Sequence, residues 1–274
     1  MPSMRTWSRK RRSSPSSARS GRRNRRMADN AGPRRIAVLG GAGGIGRALV
    51  ASLLDQGDEV IVLDLQASLM RHALAAPGIA IDVCDAASVT RAFADLAARW
   101  ETMDGFVNLA GYNSQLLPLA ETPGDYFDDV IAGNLRGVFL ACRAAIPLMA
   151  EGGSVVNVAS GLAANIRPGY GAYSASKAGV IAMTKTFAVE NAPRLRFNAV
   201  APGLVDTAFL RGGTGRSDED QASIVPLEAY RAMTPMKRLA LPDDIVGPIA
   251  FLLSQASGFM TGQVLWVNGG GYMP

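Results

Sequence analysis

The feature that most constrains the fold is a glycine-rich turn between a short apolar strand and an amphipathic helix. Residues 36–39 form the apolar run, residues 40–46 read Gly-Gly-Ala-Gly-Gly-Ile-Gly, and Ile45, Leu49 and Leu53 follow at helical spacing. Glycines in such a turn let the backbone approach a pyrophosphate, whose charge is met by the N-terminus of the next helix. A glycine-rich turn alone is a weak signal, but this order of elements predicts a dinucleotide-binding βαβ unit.

From Arg35 onward, short β-rich runs alternate with amphipathic helical stretches, including a long one from about Tyr126 to Ala150. This alternation predicts one α/β domain over residues 33–274: a doubly wound parallel sheet of the Rossmann type, with helices on both faces. Strands, several with the turn that follows them, are expected at residues 36–39, 59–64, 78–83, 105–111, 154–160, 196–203 and 261–270. The irregular stretch 208–237 is long enough to be a lid or a binding loop.

The basic residues are concentrated in the first 26 residues, which contain ten cations and no acid. Removing those ten from 28 leaves 18 basic against 23 acidic residues, so the remainder carries a net charge of −5. Residues 1–32 are too polar to bury a core, and we expect a disordered, arginine-rich tail. Its charge would suit nucleic acid or an anionic membrane, but Met27 fits a translation start equally well. We therefore expect neither partner for the domain.

Several functional classes are disfavoured by composition. Cys84 and Cys142 are not clustered, so neither a disulfide scaffold nor a metal site is indicated. His72 is the single histidine and no nucleophile elbow is present, which argues against serine-histidine hydrolysis. The sequence contains no run of about 18 apolar residues, the length needed to span a membrane. We expect a cytoplasmic protein.

Asp64 ends the predicted second strand, 18 residues after Gly46. This is close to the spacing of about 20 residues at which a carboxylate binds the adenosine ribose of a dinucleotide. The carboxylate would repel a 2′-phosphate, and neither Gly43 nor Leu65 supplies an arginine to accept one. NAD is therefore favoured over NADP, although Asp64 could instead cap a loop. Asp82 could face the adenine amine.

Ser160, Tyr173 and Lys177 are the candidate reacting residues. In a helix, Tyr173 and Lys177 share a face, so the ammonium could lie near the phenol and lower its pKa. Ser160 follows a buried strand, where its hydroxyl could polarise a substrate oxygen. Each residue alone is more simply explained as structural. Asn134, a polar residue within an apolar helix, needs partners and could hold a water chain that reprotonates the site.

The chain resembles the short-chain dehydrogenase/reductase family over residues 33–274. The resemblance rests on the glycine-rich turn 40–46, Asn108-Leu-Ala-Gly111, Asn134, Ser160, Tyr173-x-x-x-Lys177, Pro202-Gly203 with Thr207, and Val267-Asn-Gly-Gly, in the family's order. Four positions depart from the family's pattern: Leu39 replaces the usual threonine, Leu109 an asparagine, Ala240 a glycine and Asn268 an aspartate. The first two remove turn hydrogen bonds and are expected to loosen cofactor binding.

The resemblance implies hydride transfer between NAD(H) and a secondary alcohol or ketone, with Tyr173 as general acid and base, in a homotetramer or homodimer. Ser160, Tyr173, Lys177 and Asn134 are then catalytic. The implied cofactor contacts are Gly40, Gly44, Ile45, Gly46, Asp64, Asp82, Val83, Asn108, Ala110, Gly111, Tyr173, Lys177, Pro202, Gly203, Val205 and Thr207. With NAD favoured, the tyrosine is expected to act more as a base toward an alcohol than as an acid toward a ketone.

Three other functions remain open at the level of sequence. A 3-oxoacyl-thioester (acyl-carrier-protein) reductase of the same family would usually use NADPH, against which Asp64 argues. A catalytically idle NAD-binding regulator is disfavoured by the intact catalytic residues. A nucleic-acid-associated protein would act through the basic head.

The substrate pocket is expected to be lined by residues after Gly111, by apolar walls and by the 208–237 loop. The predicted lining residues are Asn113, Ser114, Gln115, Leu162, Asn165, Tyr170 and Leu204. A polar alcohol of medium size, a sugar acid and a ring ketone fit this mixture about equally.

Overall fold

The computed structural model describes residues 32–211, 222–223 and 225–274. Residues Arg34–Pro274 form one compact unit. The tail predicted over residues 1–32 lies, apart from Gly32, outside the described residues. The same is true of the polar middle of the predicted loop, residues 212–220.

The predicted doubly wound parallel sheet is confirmed. Seven parallel strands pair in the order β3-β2-β1-β4-β5-β6-β7. The strands are β1 (Arg35–Leu39), β2 (Glu59–Asp64), β3 (Gly78–Ala80), β4 (Met103–Asn108), β5 (Met149–Val158), β6 (Arg196–Pro202) and β7 (Val264–Val267). Because the strand order reverses between β1 and β4, the connections diverge there and leave a crevice at the carboxyl edge.

Eight α-helices connect and cover the strands of the described chain. They are α1 (Gly44–Asp55), α2 (Gln66–Arg71), α3 (Ala86–Arg99), α4 (Gly124–Ile131), α5 (Gly137–Ala145), α6 (Gly171–Asn191), α7 (Leu227–Met233) and α8 (Pro242–Leu253). A π-helical segment, Ala132–Arg136, joins α4 to α5.

Alternate residues of the central strands enter two separate cores, one on each face of the sheet. Ile36 and Val38 of β1 pack with residues of α1 and α8. Ala37 and Leu39 of the same strand pack with residues of α3, α5 and α6. This division explains why the strands are nearly continuous apolar runs, since a parallel sheet covered on both faces buries successive side chains.

The long helix predicted from Tyr126 to Ala150 was wrong at its C-terminal end. Helix α5 ends at Ala145, a 3₁₀ turn follows at Ile146–Leu148, and β5 already begins at Met149. Pro147 cannot donate an α-helical hydrogen bond, which favours this ending. Tertiary contacts then hold the strand, because Met149 pairs with Met103 and its carbonyl accepts a hydrogen bond from Arg194.

The third strand is shorter than predicted, ending at Ala80 and not at Val83. Among the described strands its only neighbour is β2, whose last residue, Asp64, pairs with Ala80. Beyond that pair no strand is present to continue the ladder, so Asp82 and Val83 lie in the following turn.

The helical stretch Gly124–Leu148 has the length and mean hydropathy, 1.3, of a membrane span, but half of its most apolar window is buried inside the protein. Val130, Val138 and Ala141 are among its buried side chains. A core helix of a folded domain passes the same test, so this stretch carries little evidence for a membrane.

We predict that Gly46→Ala destabilises the domain by about 1–3 kcal/mol. A Cβ there would lie 2.2 Å from the carbonyl oxygen of Gly40 and 2.6 Å from Cα of Gly41, and these backbone atoms cannot rotate away. The free energy of unfolding, measured by urea denaturation, checks this.

The matched control is Gly247→Ala, an exposed position in α8 with no atom within 4 Å of the added Cβ. There alanine is expected to stabilise by about 0.4–1 kcal/mol, because glycine loses more backbone entropy on folding. Equal effects of the two substitutions would contradict the tight packing of the turn.

Candidate active site

A cavity of about 540 Å³ opens at the carboxyl edge of the sheet. Its walls include the ends of β1, β2, β5 and β6 and the turn after β4, represented by Leu39, Asp64, Val158, Pro202 and Ala110. In open parallel sheets this crevice is where ligands bind, because the strand ends and the N-termini of the connecting helices meet there.

The glycine-rich turn adopts a backbone that only glycine permits at its tightest points. Gly40 has a φ of +81°, and a Cβ on Gly44 would lie 2.6 Å from Cγ2 of Thr207. Among the described residues, no side chain caps the start of α1 and no acid lies in its first turn. The backbone N–H groups there remain available to an anion.

The Asp64 carboxylate lines the cavity beside this turn. Its oxygens accept hydrogen bonds from the backbone of Ala42 at 2.9 Å and of Leu65 at 2.8 Å. Burial raises the pKa of Asp64, and these hydrogen bonds partly oppose the rise. Since each oxygen has two lone pairs, the group can both order the turn and accept further hydroxyl donors.

Asp82 and Val83 also line the cavity, near Asp64 on the β2 and β3 side of the sheet. Asp82 is exposed, and its Oδ1 accepts a hydrogen bond from the backbone of Cys84 at 2.9 Å. The wall here is therefore formed by the turn that follows the short third strand.

Asn108 does not line the cavity. The residue is 1% exposed, and its Oδ1 accepts a hydrogen bond from the backbone of Ala110 at 3.1 Å. Its amide nitrogen is buried without a hydrogen-bond partner in the described structure. An unpaired buried donor is costly, so a polar acceptor at this turn would be stabilising.

Asn134 also lies behind the cavity wall. The residue is fully buried in the π-helical segment, and both ends of its amide bond the backbone of Tyr112: Nδ2 donates to the carbonyl at 2.8 Å and Oδ1 accepts from the N–H at 2.7 Å. The side chain therefore positions the loop after β4.

Ser160, Tyr173 and Lys177 all line the cavity. The Ser160 hydroxyl hydrogen-bonds the Tyr173 phenol and also accepts a bond from the backbone of Leu162 at 3.1 Å. Helix α6 begins at Gly171, so Tyr173 and Lys177 share one face near its start. The Lys177 ammonium lies 5.8 Å from the centre of the Tyr173 ring.

The expected lowering of the Tyr173 pKa by Lys177 was wrong for the chain as described. Burial raises the pKa of Tyr173 to about 12, and the hydrogen bond with Ser160 opposes part of this rise. Lys177 is 3% exposed and donates to the carbonyl of Val158 at 3.0 Å, and its burial lowers the pKa of the ammonium to about 8. Both shifts have desolvation by burial as their largest cause.

The glycine cradle and the polar groups around it fit a dinucleotide. The uncapped helix start suits a pyrophosphate, Asp64 suits a ribose diol, and the Lys177 ammonium can make more than its single hydrogen bond. The backbone at Gly111 passes close to the ammonium of Lys177, since a Cβ on Gly111 would lie 2.9 Å from its Nζ.

Most of the predicted cofactor contacts border one cavity. Those on its surface are Gly40, Gly44, Ile45, Gly46, Asp64, Asp82, Val83, Ala110, Gly111, Tyr173, Lys177, Pro202, Gly203, Val205 and Thr207. Among the departures from the family pattern, Leu39, Leu109 and Asn268 also line the cavity. Ala240 instead pairs with the backbone of Val205.

The residues that line the predicted substrate pocket differ in part from the expected ones. Asn113, Leu162, Asn165, Tyr170 and Leu204 line the cavity, whereas Ser114 and Gln115 do not. Tyr112, Phe209 and Tyr230 also line the cavity, and they lie in the predicted stretches after Gly111 and over 208–237. The sequence did not indicate Arg167 and Tyr272, which lie on a loop and near the C-terminus and share no motif.

The sequence matches a known protein family and several of its members. The family model described as Enoyl-(Acyl carrier protein) reductase matches residues 40–272. An uncharacterized short-chain type dehydrogenase/reductase of Sinorhizobium fredii is 38% identical over 86% of this chain, which spans 43% of that longer protein. The 3-oxoacyl-[acyl-carrier-protein] reductase of Thermotoga maritima is 34% identical over 85% of this chain and 95% of its own length.

A solved structure agrees with the sequence relatives. The ligand-free aldohexose dehydrogenase of Thermoplasma acidophilum superposes with a TM-score of 0.78 at 29% identity, over 87% of this chain and 94% of that one. Together with the ordered motifs and the cavity at the carboxyl edge of the sheet, these matches show that the chain is an oxidoreductase of the short-chain dehydrogenase/reductase family.

Proposed function

We propose that the enzyme interconverts a secondary alcohol and its ketone with NAD(H), using Tyr173 as general acid and base. The observation that carries this proposal is the buried cluster of Tyr173, Ser160 and Lys177 in the same cavity as the glycine-rich turn and Asp64. No metal-binding group of three or more histidine, cysteine, aspartate or glutamate residues occurs among the described residues.

When bound, the cofactor would accept or supply the hydride at its nicotinamide C4. The glycine-rich turn and the start of α1 would hold the pyrophosphate, and Asp64 the adenosine ribose. The Lys177 ammonium would donate to the hydroxyls of the second ribose. The turn after β6, from Pro202 to Thr207, would complete the binding surface.

The protein moves the proton between the substrate oxygen and Tyr173. Because the pKa of Tyr173 is raised to about 12, its phenol is protonated at neutral pH and ready to donate to a ketone oxygen. For the reverse reaction the phenol must first lose its proton, so oxidation is favoured at higher pH. Ser160 contacts the phenol and can donate to the same substrate oxygen.

Asp64 supports NAD over NADP as the cofactor. Its half-buried carboxylate lies at the end of β2, where a 2′-phosphate on the ribose would bring a second negative charge into a partly desolvated site. The cations that line the cavity within the described chain are Lys177 and Arg167, and neither belongs to the glycine-rich turn or to the loop after β2.

A reductase acting on 3-oxoacyl thioesters is the second candidate. It is favoured by the similarity to the Thermotoga maritima protein of that name. The same Ser160, Tyr173 and Lys177 would serve this reaction, and the difference lies in the substrate and in cofactor preference. Comparison of initial rates with NADH and NADPH separates the two.

We also propose that the protein is cytoplasmic and forms a homotetramer or a homodimer. Its catalytic domain would comprise residues 33–274, and the arginine-rich tail would take no part in catalysis. Large apolar side chains, among them Phe139, Val189, Phe251 and Phe259, are exposed on the helical faces and near β7. Contact between copies would remove this apolar surface from water. Sedimentation measurements on the full chain test the assembly.

Tyr173→Phe is expected to lower turnover by about 10²- to 10⁴-fold, because it removes the proton donor and keeps the ring. Binding of NAD, measured by calorimetry, should stay within a few-fold of wild type. Undiminished rates of alcohol oxidation would contradict the assignment.

Ser160→Ala is expected to slow oxidation by about 10²- to 10³-fold. The increase of kcat/KM for oxidation with rising pH should also occur at a higher pH than in wild type. The sign follows from the hydrogen bond, which lowers the pKa of Tyr173, so its loss leaves the phenol protonated to a higher pH. The pH profile of kcat/KM checks this shift.

Ser174→Ala is the matched control for that shift. Ser174 is a buried serine beside Tyr173 whose hydroxyl has no hydrogen-bond partner in the described structure. Its profile should coincide with that of wild type. A profile of Ser160→Ala that coincides with both would show that Ser160 does not act on the tyrosine.

Asp64→Asn is expected to raise the ratio of kcat/KM with NADP to that with NAD by at least about tenfold, because it removes the charge that repels a 2′-phosphate. Asp82→Asn, at a more exposed carboxylate of the same cavity, should leave the ratio within about threefold, since solvent screens its charge. An unchanged ratio in Asp64→Asn would contradict the role of Asp64 in cofactor choice.

A further inference from the structure

Four charged side chains line the cavity within the described chain: Asp64, Asp82, Lys177 and Arg167. Three of them belong to the predicted cofactor site. Arg167 does not, because it lies in the loop between β5 and α6, among the lining residues that follow Leu162. The proposed function leaves this cation without a role.

Arg167 has an unusual set of contacts for a half-buried arginine. Its guanidinium carbon lies 5.8 Å from the centre of the Tyr230 ring on helix α7. No carboxylate or carbonyl of the described residues accepts a hydrogen bond from it or forms an ion pair with it. A guanidinium carries five N–H donors in one plane, and contact with a ring face uses none of them as a hydrogen bond.

Tyr170 adds a neutral donor close to Arg167. It lines the same cavity, and the charge of Arg167 acts on its phenol. Burial nevertheless raises the pKa of Tyr170, so the hydroxyl keeps its proton. Arg167 and Tyr170 therefore present a positive charge and an O–H donor to the same part of the cavity, three residues before Tyr173.

The remaining walls at this end are uncharged. They include the apolar or aromatic side chains of Leu162, Phe209, Leu210, Val225 and Met233. The amides of Asn113 and Asn165 also lie there, and their nitrogens donate to backbone carbonyls. No acidic side chain of the described residues lines this part of the cavity. A single guanidinium with one neutral donor matches a planar anion of one charge, which it can bind through two parallel hydrogen bonds, better than a phosphate dianion.

We propose that the substrate is a hydroxy acid or keto acid whose carboxylate is bound by Arg167 and Tyr170. This inference rests on the proposed function, since it names the substrate class of that site. Of the three substrate types that the sequence leaves open, the proposal favours the sugar acid, which is the one that carries a negative charge. Arg167 is then a binding residue that orients the carbinol or carbonyl carbon toward Tyr173.

The test measures binding and does not require turnover. Calorimetry would compare 3-hydroxybutanoate, mandelate and gluconate, each with its own primary amide, with and without NADH. The acid and the amide have nearly the same shape and differ in charge. Wild type should bind at least one acid about 10- to 100-fold more tightly than its amide, the effect of a charge-assisted pair of hydrogen bonds.

Arg167→Gln should abolish that preference. Binding of the acid should weaken about 10- to 100-fold, while binding of the amide changes less than about threefold. Arg167→Lys should restore part of it, since the charge remains without the planar fork. Arg231→Gln is the matched control: it removes one positive charge from α7, outside the cavity, where Arg231 pairs with Glu228. It should leave the preference unchanged.

Two results would overturn the proposal. Equal binding of every acid and its amide by wild type would show that the site does not select a carboxylate. Equal weakening of acid and amide in Arg167→Gln would show that Arg167 only positions helix α7 through Tyr230. Failure of the proposed function is seen separately, as absence of turnover with NAD or NADP in a protein that still prefers the acids.

Discussion

The constraint on which the site depends is the pairing of β1 with β2 on one side and β4 on the other. This pairing places Leu39 beside Leu63 and beside Asn108, so the loops that follow three strands meet at one edge. The glycine-rich turn can lie against them only because Gly40 has no side chain, since a Cβ there would lie 3.0 Å from the backbone of Leu109. The proposed cofactor binding and the close packing of the sheet edge therefore have the same physical requirement.

Burial determines the proton chemistry of the site. Tyr173 and Lys177 are both desolvated, which favours the neutral phenol and lowers the pKa of the ammonium to about 8. A helical spacing of four residues predicts attraction between the two groups, but the ammonium instead bonds the carbonyl of Val158. The resting site thus holds a protonated phenol in contact with Ser160, the state that the proposed proton donation requires.

Much of the fold could be predicted because its signals are local. The bounds of β2 agree with the predicted ones, and α8 begins at Pro242, where Pro242 and Asp243 suit a helix N-terminus. The errors arose where distant contacts decide. Strand β5 begins early because Met103 and Arg194 hold Met149, and β3 ends early because β2 offers no further partner.

The sequence by itself determined the family, the doubly wound sheet and the order of the motifs, because spacing along the chain specifies periodicity and turn chemistry. Only the tertiary structure decided which side chains share a cavity. It separates Asn108 and Asn134, which brace loops behind the wall, from Asp64 and Tyr173, which face the cavity. It also places Arg167 there, against Tyr230, 63 positions away in the chain. Burial and long-range packing depend on the whole fold, so no local pattern could have supplied them.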